Sequence, residues 1–310
     1  MDKVLRIGTR ASRLARLQTD GVAARLRHMH PALEIHIETF RTQGDRDQAT
    51  PAAQWPGIGF FVKELETALL DGRIDLAVHS MKDVPTAMPG GLEIEAVVPQ
   101  REDPRECLVT PAGMTLEALP RTAMVGSGSP RRRAMLLAVR PDLRFVDLRG
   151  NVETRLKKLE AGAFHATVLA RAGLVRLGRL DRRMVVLETD VLVPPAGQGA
   201  LGLEFRATDE RLRTVLAALD HPPSRWAVTA ERALLRRLGA GCRTPLGALG
   251  RVDAAGRLML EAYLLSPTGR ERLRLSAEGP APEAARIGLA LAEQLLTKGA
   301  ARFLAPPDED

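Results

Sequence analysis

The chain has 310 residues, 45% hydrophobic and 27% charged, which supplies two or three cored domains and argues against disorder. No stretch approaches the roughly 20 consecutive apolar residues of a membrane span, and the first residues lack the apolar core of a signal peptide. Lysine and arginine number 45 against 38 aspartate and glutamate, a formal net charge of +7, with 17 basic and 11 acidic residues between 101 and 200.

In chain order, residues 4–8 read as a buried strand, Thr9-Arg10-Ala11-Ser12 as a loop, and 13–28 as a helix with Leu14, Leu17, Val22 and Leu26 in its apolar stripe. Alternation predicts a strand over 35–40, and Phe61, Leu65 and Leu69 share one face of a helix over 60–70. A strand over 74–79 then runs into Ser80-Met-Lys-Asp-Val-Pro85, where Pro85 stops regular structure. The middle third repeats this logic. Strand 122–125 leads to Gly126-Ser-Gly128, an N-cap at Ser129, Pro130 at the first helical position, and a helix over 131–139. Strand 144–148, loop Arg149-Gly-Asn151, helix 152–160, strand 166–170 and a short helix through Arg176 follow. Such alternation implies α/β domains on mainly parallel sheets. Proline-rich stretches at 99–104 and 193–197 read as crossings between domains, and His221-Pro-Pro223 as a further boundary. Beyond it, a helix over 224–238, a glycine-rich loop, antiparallel strands over 258–265 and 271–277, and a helix over 282–296 follow. The acidic tail 306–310 is expected to fray. The expected domains are 1–99 with 198–218, 103–194, and 222–310.

Only six of the basic residues are lysine; the rest are arginines, whose planar forks pair with carboxylate or phosphate, although a general preference for arginine gives the same composition. Nucleic acid fits poorly, because Phe, Trp and Tyr total ten and no run of five basic residues occurs. A small, multiply charged acid fits better. Cys107 and Cys242 have no second Cys or His at ligand spacing, so no metal site is expected. In the cytoplasm, the expected compartment, both thiols start reduced.

In open α/β sheets, ligands sit beyond the carboxyl ends of the strands, where helix N-termini offer free N–H groups. Arg10 and Ser12, then Lys82, then Ser127, Ser129, Arg131 and Arg132, then Arg149, then Arg171 and Arg176 all fall there, with Arg155 one turn into its helix. One arginine at a helix start is ordinarily a solvated surface group. Five such junctions are harder to dismiss, and if the two domains face each other they converge on a cleft for many carboxylates or phosphates. Gly126-Ser-Gly-Ser-Pro-Arg131 also suggests a dinucleotide turn, but Arg131 stands where the third small residue belongs, so a plain anion-binding turn is the better reading. Asp83, beside Lys82 and near His79, can steer a cationic intermediate or move a proton. Taken alone, it reads more simply as a helix cap or a salt bridge to Lys82. Cys107 reads as a core residue. Cys242 lies among small neighbours that leave room for a group on its sulfur, and Arg243 favours the thiolate; alone, an inert buried thiol is the simpler reading.

Together these segments resemble the hydroxymethylbilane synthase (porphobilinogen deaminase) family over residues 4–304. The resemblance rests on Leu5-Arg-Ile-Gly-Thr-Arg-Ala-Ser12, Phe61-Val-Lys-Glu-Leu-Glu66, Asp75-Leu-Ala-Val-His-Ser-Met-Lys-Asp-Val-Pro85 and Arg101-Glu-Asp-Pro-Arg105. It continues in Leu148-Arg-Gly-Asn-Val152, Thr154-Arg155, Ala172-Gly-Leu174, Arg176-Leu-Gly178, Gly197-Gln-Gly-Ala200, Thr229-Ala-Glu-Arg-Ala233 and Gly241-Cys242. It implies two α/β lobes like those of periplasmic binding proteins around a cleft, plus a smaller α+β domain presenting Cys242. It also implies a dipyrromethane cofactor joined to Cys242 by a thioether. Four porphobilinogens add to it head to tail, each losing ammonia, and water releases the linear tetrapyrrole.

On this resemblance Asp83 is the catalytic carboxylate beneath the pyrrole N–H groups. Ser12, Lys82, Asp83, Ser127, Ser129, Arg131 and Arg132 match cofactor-holding positions, and Arg10, Arg149, Arg155 and Arg176 match positions for incoming substrate. Cys242 is then an anchor, not a nucleophile in turnover. A monomer without membrane or nucleic-acid partner is expected. Two departures stand out. Ile58 replaces the usual lysine of a lid over about 42–59, and Ser127-Gly-Ser-Pro130 loses a hydroxyl at Gly128. Two alternatives compete: a non-catalytic two-lobed binding protein for a polycarboxylate, which needs neither Cys242 nor Asp83, and a nucleotide-dependent enzyme using 126–131.

Overall fold

The computed structural model describes residues 4–46, 61–94, 96–241 and 243–304. Cys242, Ile58 with most of the expected lid, and the acidic tail lie outside the described residues.

The chain opens with β1 (Val4–Arg10), α1 (Arg13–Met29), β2 (Glu34–Phe40), α2 (Gln43–Arg46), α3 (Lys63–Leu70), β3 (Leu76–Ser80) and β4 (Leu92–Glu93). It continues through β5 (Glu106–Val109), β6 (Met124–Gly126), α4 (Pro130–Val139), β7 (Arg144–Val146), α5 (Val152–Glu160), β8 (Ala166–Ala170), α6 (Arg171–Arg176) and β9 (Met184–Leu187). Then come β10 (Leu201–Arg206), α7 (Glu210–Ala217), α8 (Pro222–Leu238), β11 (Leu246–Val252), β12 (Arg257–Leu265), β13 (Arg272–Pro280), α9 (Ala284–Thr297) and α10 (Ala301–Leu304).

Two sheets share one plan, with strand orders β2-β1-β3-β10-β4 and β7-β6-β8-β5-β9. Four of the five strands in each sheet run one way, as expected of mainly parallel sheets, but each sheet also holds one reversed strand. In the first, β1 pairs in parallel with β2 and β3, but β10 is antiparallel to β3 and β4. In the second, β6 is parallel to β7 and β8, while β5 is antiparallel to β8 and β9. The reason is connectivity. The strands β10 and β5 arrive from the opposite lobe, so no right-handed helical crossover dictates their direction.

The third sheet, β11-β12-β13, is wholly antiparallel and carries α8 and α9. The glycine-rich loop after α8 leads into β11, a strand that the sequence pattern does not announce. A Cβ on Gly247 would lie 2.5 Å from the Val193 carbonyl oxygen, and one on Gly250 would lie 3.0 Å from the Ala227 backbone. Glycine there permits close approach rather than a turn.

Each sheet has its own core: Ile7, Leu26, Leu76 and Phe205 in the first, Leu108, Val125, Met135 and Val168 in the second, Leu234, Leu260 and Leu291 in the third. Burying each such side chain stabilises by about 1.5–3 kcal/mol. The second core also takes in Leu249, Tyr263 and Leu265, which packs the third sheet onto that lobe. Cys107 is fully buried on β5, and burial pushes its thiol up to about 11, as a core residue requires. Among the described residues no helix is long and apolar enough to cross a membrane.

Candidate active site

The carboxyl ends of β1 and β3 build one wall. Ser12 caps α1, its Oγ accepting from the Ala15 N–H at 3.3 Å, and the Arg10 guanidinium lies over the Phe61 ring, 4.1 Å from its centre. After β3 the chain makes a single 3-10 turn, Met81–Asp83, that drives Met81 into the core and leaves Lys82 and Asp83 partly exposed. Lys82 Nζ donates to Gln198 Oε1 at 3.2 Å. A cavity of about 60 Å³ is lined by Arg10, Ser12, Phe61, His79, Ser80 and Asp83.

The facing wall begins after β6. Ser127 Oγ accepts from the Ser129 N–H at 3.2 Å, and Ser129 Oγ caps α4 by accepting from the Arg132 N–H at 3.4 Å. The first turn of α4 therefore aims Arg131 and Arg132 inward, where both are buried against Glu106 of β5. Arg131 Nη2 donates to Glu106 Oε2 at 2.9 Å and Arg132 Nε to Oε1 at 2.8 Å, while Arg131 Nη1 donates to the Val193 carbonyl at 2.8 Å. Burial pushes the Glu106 carboxyl up, but Arg131, Arg132 and Lys82 outweigh it and hold the group at about 2. Arg131 is thus paired with an acid and fills the place of the third small residue, which counts against a dinucleotide turn. Gly126 serves packing, because a Cβ there would lie 2.9 Å from the Phe164 ring.

Lys82 lies below the ordinary lysine value, first through burial and then through Arg132 and Arg131, with Asp83 and Glu106 opposing. Arg155 donates from Nε to the Gly150 carbonyl at 2.9 Å; burial, then Arg132 and Arg149, push it down to about 10 against the pull of Asp83. Lys82, Asp83, Arg131, Arg132, Arg149 and Arg155 therefore share one electrostatic field that spans both lobes. Arg176 stands apart: its Nη2 donates to the Gly199 carbonyl at 2.7 Å, and the charges acting on it are Glu102 and Arg25. Arg171 turns to Asp103, 3.6 Å away.

This donor set fits an anionic cofactor carrying several carboxylates. It offers hydroxyls, a helix N-terminus and cations whose charged forms are disfavoured first by burial and then by one another, a cost that incoming carboxylates would offset. Several participants escape a sequence reading: Glu106, Gln198, which also donates from Nε2 to the Pro104 carbonyl at 2.7 Å, and the buried His79–Glu204 pair, 2.8 Å apart. None has a local signal, since each partner lies far along the chain.

Two α/β lobes carry cations at their strand ends, with one carboxylate, Asp83, set among those cations. Comparison with known proteins makes this specific. A family described as "Porphobilinogen deaminase, dipyromethane cofactor binding domain" matches residues 5–214, and "Porphobilinogen deaminase, C-terminal domain" matches residues 226–297. A relative from Geotalea uraniireducens named porphobilinogen deaminase is 45% identical, covering 98% of this chain and 94% of its own. Relatives of the same name from Pelotomaculum thermopropionicum and Roseiflexus castenholzii are each 47% identical over 98% of this chain, covering 97% and 100% of theirs. The chain belongs to the porphobilinogen deaminase family and carries that family's dipyrromethane-cofactor-binding domain.

Proposed function

We propose that this chain is a hydroxymethylbilane synthase, a transferase of tetrapyrrole and heme biosynthesis. It condenses porphobilinogen head to tail with loss of ammonia and releases linear hydroxymethylbilane by hydrolysis. One observation carries the reading: Asp83 stands at the end of β3 within the field of Lys82 and Arg155, in a cleft otherwise built for anions. A non-catalytic polycarboxylate binder uses the same cations but has no use for that carboxylate.

Cys242 would anchor the dipyrromethane, with Ser12, Lys82, Ser127, Ser129, Arg131 and Arg132 taking its polar groups. When bound, the cofactor supplies the free pyrrole carbon at which the chain is extended. Arg10, Arg149, Arg155 and Arg176 receive the acetate and propionate of incoming porphobilinogen. Loss of ammonia from porphobilinogen leaves a cationic methylene-pyrrole. The Asp83 carboxylate accepts from the pyrrole N–H, stabilises that positive charge and serves as proton acceptor. On this reading the domains are 1–99 with 198–218, 103–194 and 222–310, and the enzyme works as a cytoplasmic monomer.

Replacing Asp83 by Ala tests the assignment. Circular dichroism should be unchanged while tetrapyrrole formation falls by about 10²–10⁴-fold. Near-normal turnover in that variant removes Asp83 from the chemistry.

A further inference from the structure

The helix α8 ends at Leu238, with three residues between it and Cys242. His221 caps its start, Gly239 closes it in the left-handed conformation (φ 61°), and Ala240 and Gly241 lead directly to the cysteine. Midway along it, Glu231 and Arg232 are both buried, an arrangement that requires partners for each. Glu231 accepts from Arg101 Nη1 at 2.6 Å, from the Gly197 N–H at 2.6 Å and from the Gly250 N–H at 2.7 Å. It therefore binds both crossing segments to β11.

Arg232 points the other way. Its Nη1 donates to the Val84 carbonyl at 3.0 Å and its Nη2 to the Pro85 carbonyl at 2.8 Å. One turn on, Arg236 Nε donates to the Thr86 carbonyl at 3.1 Å. These three consecutive carbonyls immediately follow Asp83. The Val84 side chain packs in a cluster with Met81, Val62, Ile94, Val98 and Ala200, and Val228, one turn before Arg232 on α8, belongs to that same cluster. The segment past β3 has no ladder to hold it, because the 3-10 turn ends there and Pro85 offers no N–H. Beyond the packing of Val84, its backbone carbonyls are held by a planar fork reaching over from α8.

The geometry points to Arg232 as a positioning residue that holds the Asp83 turn in register with the cysteine-bearing end of α8, an inference that rests on the proposed function. The fork geometry matters. Two N–H groups in one plane meet two successive carbonyls, whereas an ammonium is a point charge that cannot hold both with fixed orientation. Loosening the fork lets the carboxylate wander relative to the anchored end of the growing chain. Misplacement of about 1 Å can cost about 10²-fold in a reaction that depends on orientation.

The experiment compares Arg232→Lys with Val228→Ala, which thins the same interface but leaves the fork intact, using full-length protein. Intact mass gives the fraction of molecules carrying a covalent group, and kcat is expressed per loaded molecule. Arg232→Lys should lower kcat by about 10- to 100-fold with KM within about threefold. Val228→Ala should lower the melting temperature yet keep kcat within about twofold of wild type. Arg232→Gln serves as a second variant and should lose at least as much kcat as the lysine. Unchanged kcat in Arg232→Lys, or an equal loss in Val228→Ala, overturns the role of Arg232. Wild-type protein that carries no covalent group and consumes no porphobilinogen overturns the function on which the inference rests.

Discussion

Replacing Glu106 by Gln keeps the shape of a buried side chain and removes the one negative charge to which both Arg131 and Arg132 are bonded. Two routes give the size of the effect. The carboxyl is lowered from 4.5 to about 2 and is fully buried, and at 1.36 kcal/mol per unit that lowering is worth about 3 kcal/mol. Removing one partner of a buried ion pair costs about 3–5 kcal/mol by general experience, which agrees. For a chain of this length unfolding as one unit, the loss amounts to roughly 5–8 °C in melting temperature.

The pH dependence has a definite sign. The folded value is depressed, so the stabilisation is complete above 4.5 and is lost as the pH falls from 4.5 towards about 2. The assay is a series of thermal melts at pH 7, 5 and 3 on protein made without cofactor. Wild type and Glu106→Gln should differ at pH 7 and draw together as the pH drops. Added citrate should stabilise the variant more than wild type, because its carboxylates replace the missing charge. A variant that melts with wild type at pH 7 refutes the role of Glu106 as counter-charge.

Burial, then the charge of Glu204, pushes the Glu66 carboxyl up to about 7. A raised acid costs the fold stability as pH rises from 4.5 through 7, so Glu66→Gln should melt higher than wild type at pH 8 and alike at pH 4. The side chain is half-exposed, which limits the gain to about 1 kcal/mol; equal melting at pH 8 would sink the assignment. Gly199→Ala should lower both stability and turnover, because φ is 86° there and a Cβ would sit 2.3 Å from the Glu102 carbonyl oxygen. Wild-type melting in that variant would show that the crossing strands tolerate separation.

What could be read from the sequence was what is encoded locally. The helix 152–160 and the strand 166–170 stand where periodicity puts them, and Ser129 with Pro130 opens α4 through neighbours alone. The strand β10 offered no such pattern, and β5 showed only as a strand beginning near Cys107. They are short, buried on both faces, and carry acids in their interior: Glu106 facing two arginines and Glu204 facing His79. The site divides the same way. Lys82, Asp83 and the Ser127–Arg132 turn carry their context beside them. Arg232 meets Val84 from 148 positions away, and no local pattern announces such a contact.

The central claim is that Cys242 holds a dipyrromethane from which the chain grows. Its most direct test is the intact mass of wild type and of Cys242→Ser, both made with ample porphobilinogen. Wild type should exceed its sequence mass by one dipyrromethane and Cys242→Ser should not. Wild type at its unmodified mass, or an equal increment on Cys242→Ser, contradicts the claim.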